Sequence, residues 1–133
     1  MFDFTNKTVI VTGAGQGIGK ETAKGIIEGN GKVIICDINE KTGMATKEEL
    51  GENAYFYKMD CGDNKNIREV IAQILKDHEN VTGLINVAGV ISKKPFQEIS
   101  DEEWERTIRI NLTGTFTACS AIYPYFMKNG GGR

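Results

Sequence analysis

The chain has 133 residues, 16 of them basic and 18 acidic, which gives a formal net charge of −2. That length suits a single domain that buries about two-thirds of its unfolded surface, and 40% apolar residues suit a packed core rather than disorder. The charge balance leaves no electrostatic footprint for nucleic acid or a membrane surface, and no apolar run is long enough to span a bilayer.

In chain order, Val9-Ile10-Val11 is a β-branched run ending in Thr12-Gly13 and predicts a strand buried on both faces. Residues 17 to 28 carry Ile18, Ala23, Ile26 and Ile27 at helical spacing, and Gly29-Asn30-Gly31 ends them. Residues 33 to 36 predict a second strand ending at Asp37, and residues 39 to 50 a weaker helix interrupted by Gly43. A third strand is predicted at 54 to 57, ending near Asp60. Ile67, Val70, Ile71, Ile74 and Leu75 follow at amphipathic helical spacing, and residues 83 to 87 predict a fourth strand. Ser100 and Glu103 form a capping box that opens a helix running to about Lys128. Strands alternating with helices imply an α/β fold with a doubly wound parallel sheet.

Glycine is the compositional outlier, 16 of 133 or about 12% against an average near ~7%. Four of these residues, Gly13, Gly15, Gly17 and Gly19, alternate in Thr12-Gly13-Ala14-Gly15-Gln16-Gly17-Ile18-Gly19. The segment joins a buried strand to a helix N-terminus, where free N–H groups and the helix dipole favour a pyrophosphate. A P-loop does not fit, because Ala14 stands where its first glycine belongs and Glu21 where its magnesium-binding hydroxyl belongs. The strict Gly-x-Gly-x-x-Gly fingerprint also fails; Thr-Gly-x-x-x-Gly-x-Gly fits. Asp37, 18 residues after Gly19 and at a strand end, can accept ribose hydroxyls or can be a solvated turn residue. Cys36, Cys61 and Cys119 form no Cys-x-x-Cys pair, so reduced thiols and a cytoplasmic location are expected. The single His78, with no ligand cluster around it in sequence, leads to no expected metal site and reads as a helix-end residue favoured by the dipole.

Taken together the chain resembles the short-chain dehydrogenase/reductase family. The features that carry the likeness are Thr12-Gly13-x-x-x-Gly17-x-Gly19, Asp37, Asp60, Asn86-Val87-Ala88-Gly89, and Asn111 within Asn-Leu-x-Gly. The resemblance covers essentially the whole chain. It implies a Rossmann-like sheet ordered 3-2-1-4, with Gln16, Ile18 and the loop glycines at the cofactor. It also implies that Asp60 and the backbone of Cys61 meet the adenine beside Ile38. Asn86, Ala88 and Gly89 would line the nicotinamide ribose and brace the fourth strand. Asn111 would bend its helix and hold a water in a proton relay. Val87 departs from the Asn usual at that position, which puts one strand-end hydrogen bond in doubt.

The family's catalytic Ser and Tyr-x-x-x-Lys follow a fifth strand, and no Tyr here has Lys four residues later. Residues 1–133 are therefore expected to form an NAD(P)-binding domain that stops before that strand. The implied activity is hydride transfer between NAD and an alcohol or carbonyl substrate, 3-oxoacyl reductase-like, with this chain alone inactive. Alternatives are a non-catalytic dinucleotide-binding module or pseudoenzyme and, less in keeping with Asn86 to Gly89, an S-adenosylmethionine-binding methyltransferase. NAD is expected over NADP because Asp37 would repel a 2′-phosphate, and Gln16, Ile38, Asn39 and Glu40 supply no cation. A homo-oligomer through the 101–128 helix is also implied, with the fourth strand left as an open edge.

Overall fold

The computed structural model describes residues 2–133. β-Branched residues without polar side chains favour pleated backbone, and where both faces are covered they need no polar alternation. The first strand, β1 (Thr8–Thr12), is accordingly buried along its whole length. It pairs in parallel with β2 (Lys32–Asp37) on one side and β4 (Val81–Asn86) on the other, and β3 (Ala54–Lys58) adds outside β2. The order is β3-β2-β1-β4, as the family resemblance implied.

Side chains that alternate along the strands divide the core in two. Val9, Val11, Val33 and Ile35 face α1 (Gly17–Glu28), where Ala23 and Ile26 fill the interface. Ile10, Ile34 and Cys36 face the opposite layer, built from Ile67, Ile71 and Ile74 of α3 (Asn64–Asp77) and from Ala118 and Ile122 of α5 (Gly114–Lys128). The helix predicted at 39 to 50 is α2 (Glu40–Leu50), capped by Asn39, whose side chain accepts from Thr42 N–H. Gly43, which weakened that expectation, is required by packing: a Cβ there would strike the Phe56 ring of β3. Asp63 caps α3 by accepting from the N–H groups of Lys65 and Asn66.

Four differences from the sequence reading have physical causes. The helix expected over 101 to 128 is not continuous. After α4 (Asp101–Ile108), opened by the expected Ser100–Glu103 capping box, one π-helical turn spans Arg109–Thr113 before α5 begins. β4 starts at Val81 and ends at Asn86, because the next N–H, that of Val87, leaves the ladder for the Thr12 hydroxyl. The edge of β4 is not wholly open. Arg133 N–H donates to Thr82 O and Arg133 O accepts from Leu84 N–H, the alternation of a parallel pair. His78, finally, caps the C-terminal end of α3 as expected of a helix-end residue. Its ring, however, lies against Tyr55 and Tyr57, and burial pulls its pKa below the usual histidine value despite Asp77 nearby, against the effect of the dipole.

Candidate functional site

The chain leaves β1 for β2 and β3 on one side, then crosses back to β4 on the other. At this reversal the loops that follow β1 and β4 diverge and open a crevice at the carboxyl ends of the strands. A cleft of about 710 Å³ occupies that position, a size suited to a small ligand.

The glycine loop forms one wall. Gly13 has φ +66°, and a Cβ there would lie 2.8 Å from Ala88 Cα, so the β1 and β4 loops touch backbone to backbone. Gly17 has φ +54° and open space where a side chain would stand, so the first turn of α1 borders the cleft bare. Gly19 lets α1 seat directly on the Gly13 carbonyl. Gln16, at the N-cap, offers no side-chain hydrogen bond to the helix. The first N–H groups of α1 thus keep their donors for a ligand, and the helix dipole favours an anion there. The cradle fits a pyrophosphate.

Asp37 ends β2 beside this loop. Its Oδ2 accepts from Gly15 N–H at 2.8 Å and its Oδ1 from Asn39 N–H at 2.9 Å, so both oxygens are oriented before any ligand arrives. Ile38 is 58% exposed and forms an apolar lip next to it. Across the cleft Asp60 turns its Oδ1 onto Gly62 N–H at 2.8 Å, while Asn66 Oδ1 takes the Asp60 N–H. Cys61 lies between Asp60 and Gly62 on the same wall. Burial, with Asp60 and Asp37 adding to it, pushes its thiol up to about 11, so it stays protonated and is not a nucleophile.

The floor comes from the β4 loop. The Thr12 hydroxyl, buried at the end of β1, accepts from Val87 N–H at 3.1 Å and Ala88 N–H at 3.2 Å. Both bonds use backbone donors, so they tie the strand end without replacing the side-chain bond that an Asn at position 87 would make. Asn111, in the π turn, grips Val90 with both ends of its amide: Oδ1 accepts from Val90 N–H at 2.8 Å and Nδ2 donates to Val90 O at 2.9 Å. Its backbone carbonyl accepts the Thr115 hydroxyl at 3.0 Å.

Gly13, Gln16, Gly17, Ile18, Gly19 and Asp37 come together on the cleft with Ile38, Asp60, Cys61, Ala88 and Gly89. Gly15, Asn86 and Asn111 do not line it. Gly15 lies behind Asp37, the Asn86 amide points to Cys119 Sγ at 3.5 Å, and the Asn111 side chain braces Val90 from behind. Sequence reasoning missed Thr12 as a brace, although it stands in the motif, and missed Ile110, Arg106 and Arg109, which complete the far wall. The signal for Ile110 was its place before Asn111; nothing local marks the two arginines. Among the described residues no tyrosine lines the cleft and no group of side chains could hold a metal ion.

This geometry, a parallel sheet ordered β3-β2-β1-β4 with a glycine loop leading into a helix N-terminus, is that of a Rossmann-like α/β fold. The model of the short chain dehydrogenase family matches residues 7–133, and the chain belongs to that family. An uncharacterized oxidoreductase of Thermotoga maritima is 36% identical over 129 residues, covering 95% of this chain and 50% of that protein. An NAD-dependent glycerol dehydrogenase of Listeria innocua is 30% identical over 132 residues, 99% of this chain and 52% of its own. A crystal structure of a short-chain dehydrogenase/reductase from Brucella melitensis superposes with a TM-score of 0.87 at 30% identity, over 92% of this chain and 53% of that one. The chain spans about half the length of the curated relatives it matches.

Proposed function

We propose that this chain is the NAD-binding domain, residues 1–133, of an oxidoreductase that moves hydride between nicotinamide and an alcohol or carbonyl carbon, of the kind handled by 3-oxoacyl reductases. The observation that carries the reading is the Asp37 carboxylate, pinned by two backbone N–H groups beside the glycine loop. A bound nicotinamide ring supplies the hydride chemistry. The chain's own residues bind and orient: the first turn of α1 receives the pyrophosphate, and Asp37 accepts the adenosine ribose hydroxyl. Ile38, Asp60 and Cys61 bound the adenine, and Ala88 and Gly89 support the nicotinamide ribose. Asn111 is a positioning residue that fixes the loop carrying Gly89 and Val90, and Asn86 braces the β4 end.

A 2′-phosphate against Asp37 would set two anions side by side, and the cleft's cations, Arg106 and Arg109, arise from the opposite wall. NADH should therefore bind at least about tenfold tighter than NADPH, a gap of ~1.4 kcal/mol. Dissociation constants measured for both cofactors test this, and equal or tighter NADPH binding overturns the assignment. With no tyrosine at the cleft to manage a proton, the 133-residue chain should bind NADH without turning over alcohols or carbonyls. Turnover by homogeneous material overturns that part.

Self-association through α4 and α5 belongs to the same reading. Trp104, Ile108, Leu112, Phe116, Tyr123 and Met127 are all exposed, Leu112 and Phe116 at 64% and 66%. Such a run of large apolar side chains is costly to leave in water.

A further inference from the structure

The peptide groups on the two sides of Gly15 are both held by side chains distant in sequence. Gly15 N–H donates to Asp37 Oδ2 at 2.8 Å, and Gly15 O accepts from the Thr46 hydroxyl at 3.1 Å. Thr46 is 1% exposed, so this bond is shielded from competing water. Its reach depends on Gly43 one turn earlier, where the missing Cβ lets α2 settle onto Phe56. A Cβ on Gly15 would lie 2.7 Å from Thr42 Oγ1 and 2.8 Å from Asp37 Oδ2, so α2 and the end of β2 close on this glycine together. Asn39 completes the link, donating to Asp37 through its N–H and capping α2 through its side chain.

We propose that Thr46 is a positioning residue for dinucleotide binding, its buried hydroxyl setting the Gly15–Gln16 peptide plane and with it the entry of the loop into α1. A planar trans peptide directs its N–H opposite to its C=O. Tying Gly15 O toward α2 therefore turns Gln16 N–H to the other side and fixes the backbone that leads into the cradle at Gly17 to Gly19. Thr46 touches no ligand: it acts through Gly15, and α2 thereby becomes part of the cofactor-binding apparatus although no α2 side chain lines the cleft. The proposal rests on the dinucleotide reading given above.

The test compares Thr46→Val, which keeps the shape and removes the donor, with Thr46→Ser, which keeps the donor. Binding of NADH and ADP-ribose is measured by calorimetry, and binding of adenosine, which lacks the pyrophosphate, by NMR titration. The valine variant should bind NADH and ADP-ribose about three- to tenfold more weakly, since binding must then order a loop peptide that the lost hydrogen bond held in advance, with the worth of that one bond as the ceiling. Its adenosine affinity should be unchanged, and the serine variant should restore NADH affinity to within about twofold. Unchanged NADH binding by the folded valine variant overturns the role of Thr46 alone. Equal weakening of adenosine also overturns it, since the residue would then only support the fold. If the unaltered protein binds neither NADH nor NADPH, the dinucleotide reading falls and this proposal with it.

Discussion

Replacing Thr12 by Val should destabilise the protein and loosen the floor of the cleft. Thr12 is 1% exposed and its hydroxyl is the acceptor for two backbone N–H groups, those of Val87 and Ala88. Valine matches the shape but accepts nothing, so both donors lose their partner at a strand end that is only half-buried. A buried donor left unpaired costs about 1–3 kcal/mol. Because the two share one oxygen and water can approach from the cleft, the lower limit applies to each, about 2 kcal/mol together. Serine keeps the acceptor and removes one methyl group, about 0.8 kcal/mol. The expected order of stability is therefore Thr, then Ser, then Val. Urea denaturation followed by circular dichroism, with equal denaturant slopes for the three proteins, measures it. NADH affinity should fall in the same order, since Ala88 packs on Gly13. A valine variant as stable as the serine variant would refute the reasoning, because the apolar gain would then outweigh the two lost bonds.

Asn111→Leu removes both hydrogen bonds to Val90 and should weaken NADH binding about fivefold at a stability cost of about 1 kcal/mol; calorimetry beside thermal melts separates the two effects. The pKa of His78 is lower in the folded protein than its ordinary value of 6.5, chiefly through burial, with Lys32 adding to it and Asp77 opposing. The unfolded chain therefore takes up more protons as pH falls through that value, and stability should drop between pH 7.5 and 5.5. Asp3, Asp77 and Glu103, whose carboxyls are held low by hydrogen bonds, lose their contribution below about pH 5.5, as pH falls through their ordinary values and then their lowered ones. His78→Gln should flatten the slope in the higher window, measured as melting temperature against pH. Leu112→Glu combined with Phe116→Glu should shift the protein to a smaller species in sedimentation velocity, and a strictly monomeric unaltered protein at micromolar concentration would count against the proposed interface.

The strands, the glycine loop and the capping box were legible because each is local. β-Branched runs, left-handed glycines and an N-cap three residues before its glutamate all announce themselves within a few positions. The resemblance added the order of the sheet, which no local pattern contains. What stayed illegible joins distant positions. Thr46 meets Gly15 across 31 residues and Thr12 meets Ala88 across 76, and neither partner carries a composition signal. Gly43 misled for the opposite reason: intrinsic propensity marks it as a helix breaker, but the Phe56 ring decides its identity. Asn111 was marked as the bend in its helix, yet the form of that bend, one widened turn, depends on how α4 and α5 must meet the β4 loop.

That widened turn sets a rule for tolerated insertions and deletions. A π turn over Arg109–Thr113 holds one residue more than α-helical pitch requires. Removing a single residue there would give a regular helix and leave α4 and α5 near their present register, because five residues in the widened turn sweep about the same angle as four at α-helical pitch. Trp104 and Ile108 would stay on the stripe that carries Phe116 and Met127, while the Asn111 amide, carried by the widened turn itself, would lose its hold on Val90. Hydrophobicity, helix propensity and core composition would scarcely change. A one-residue gap in this segment therefore spares the exposed helical face and removes the bulge that presents Asn111 to the cofactor loop, so its cost should appear in the Val90 contacts and not in the packing of α4 or α5.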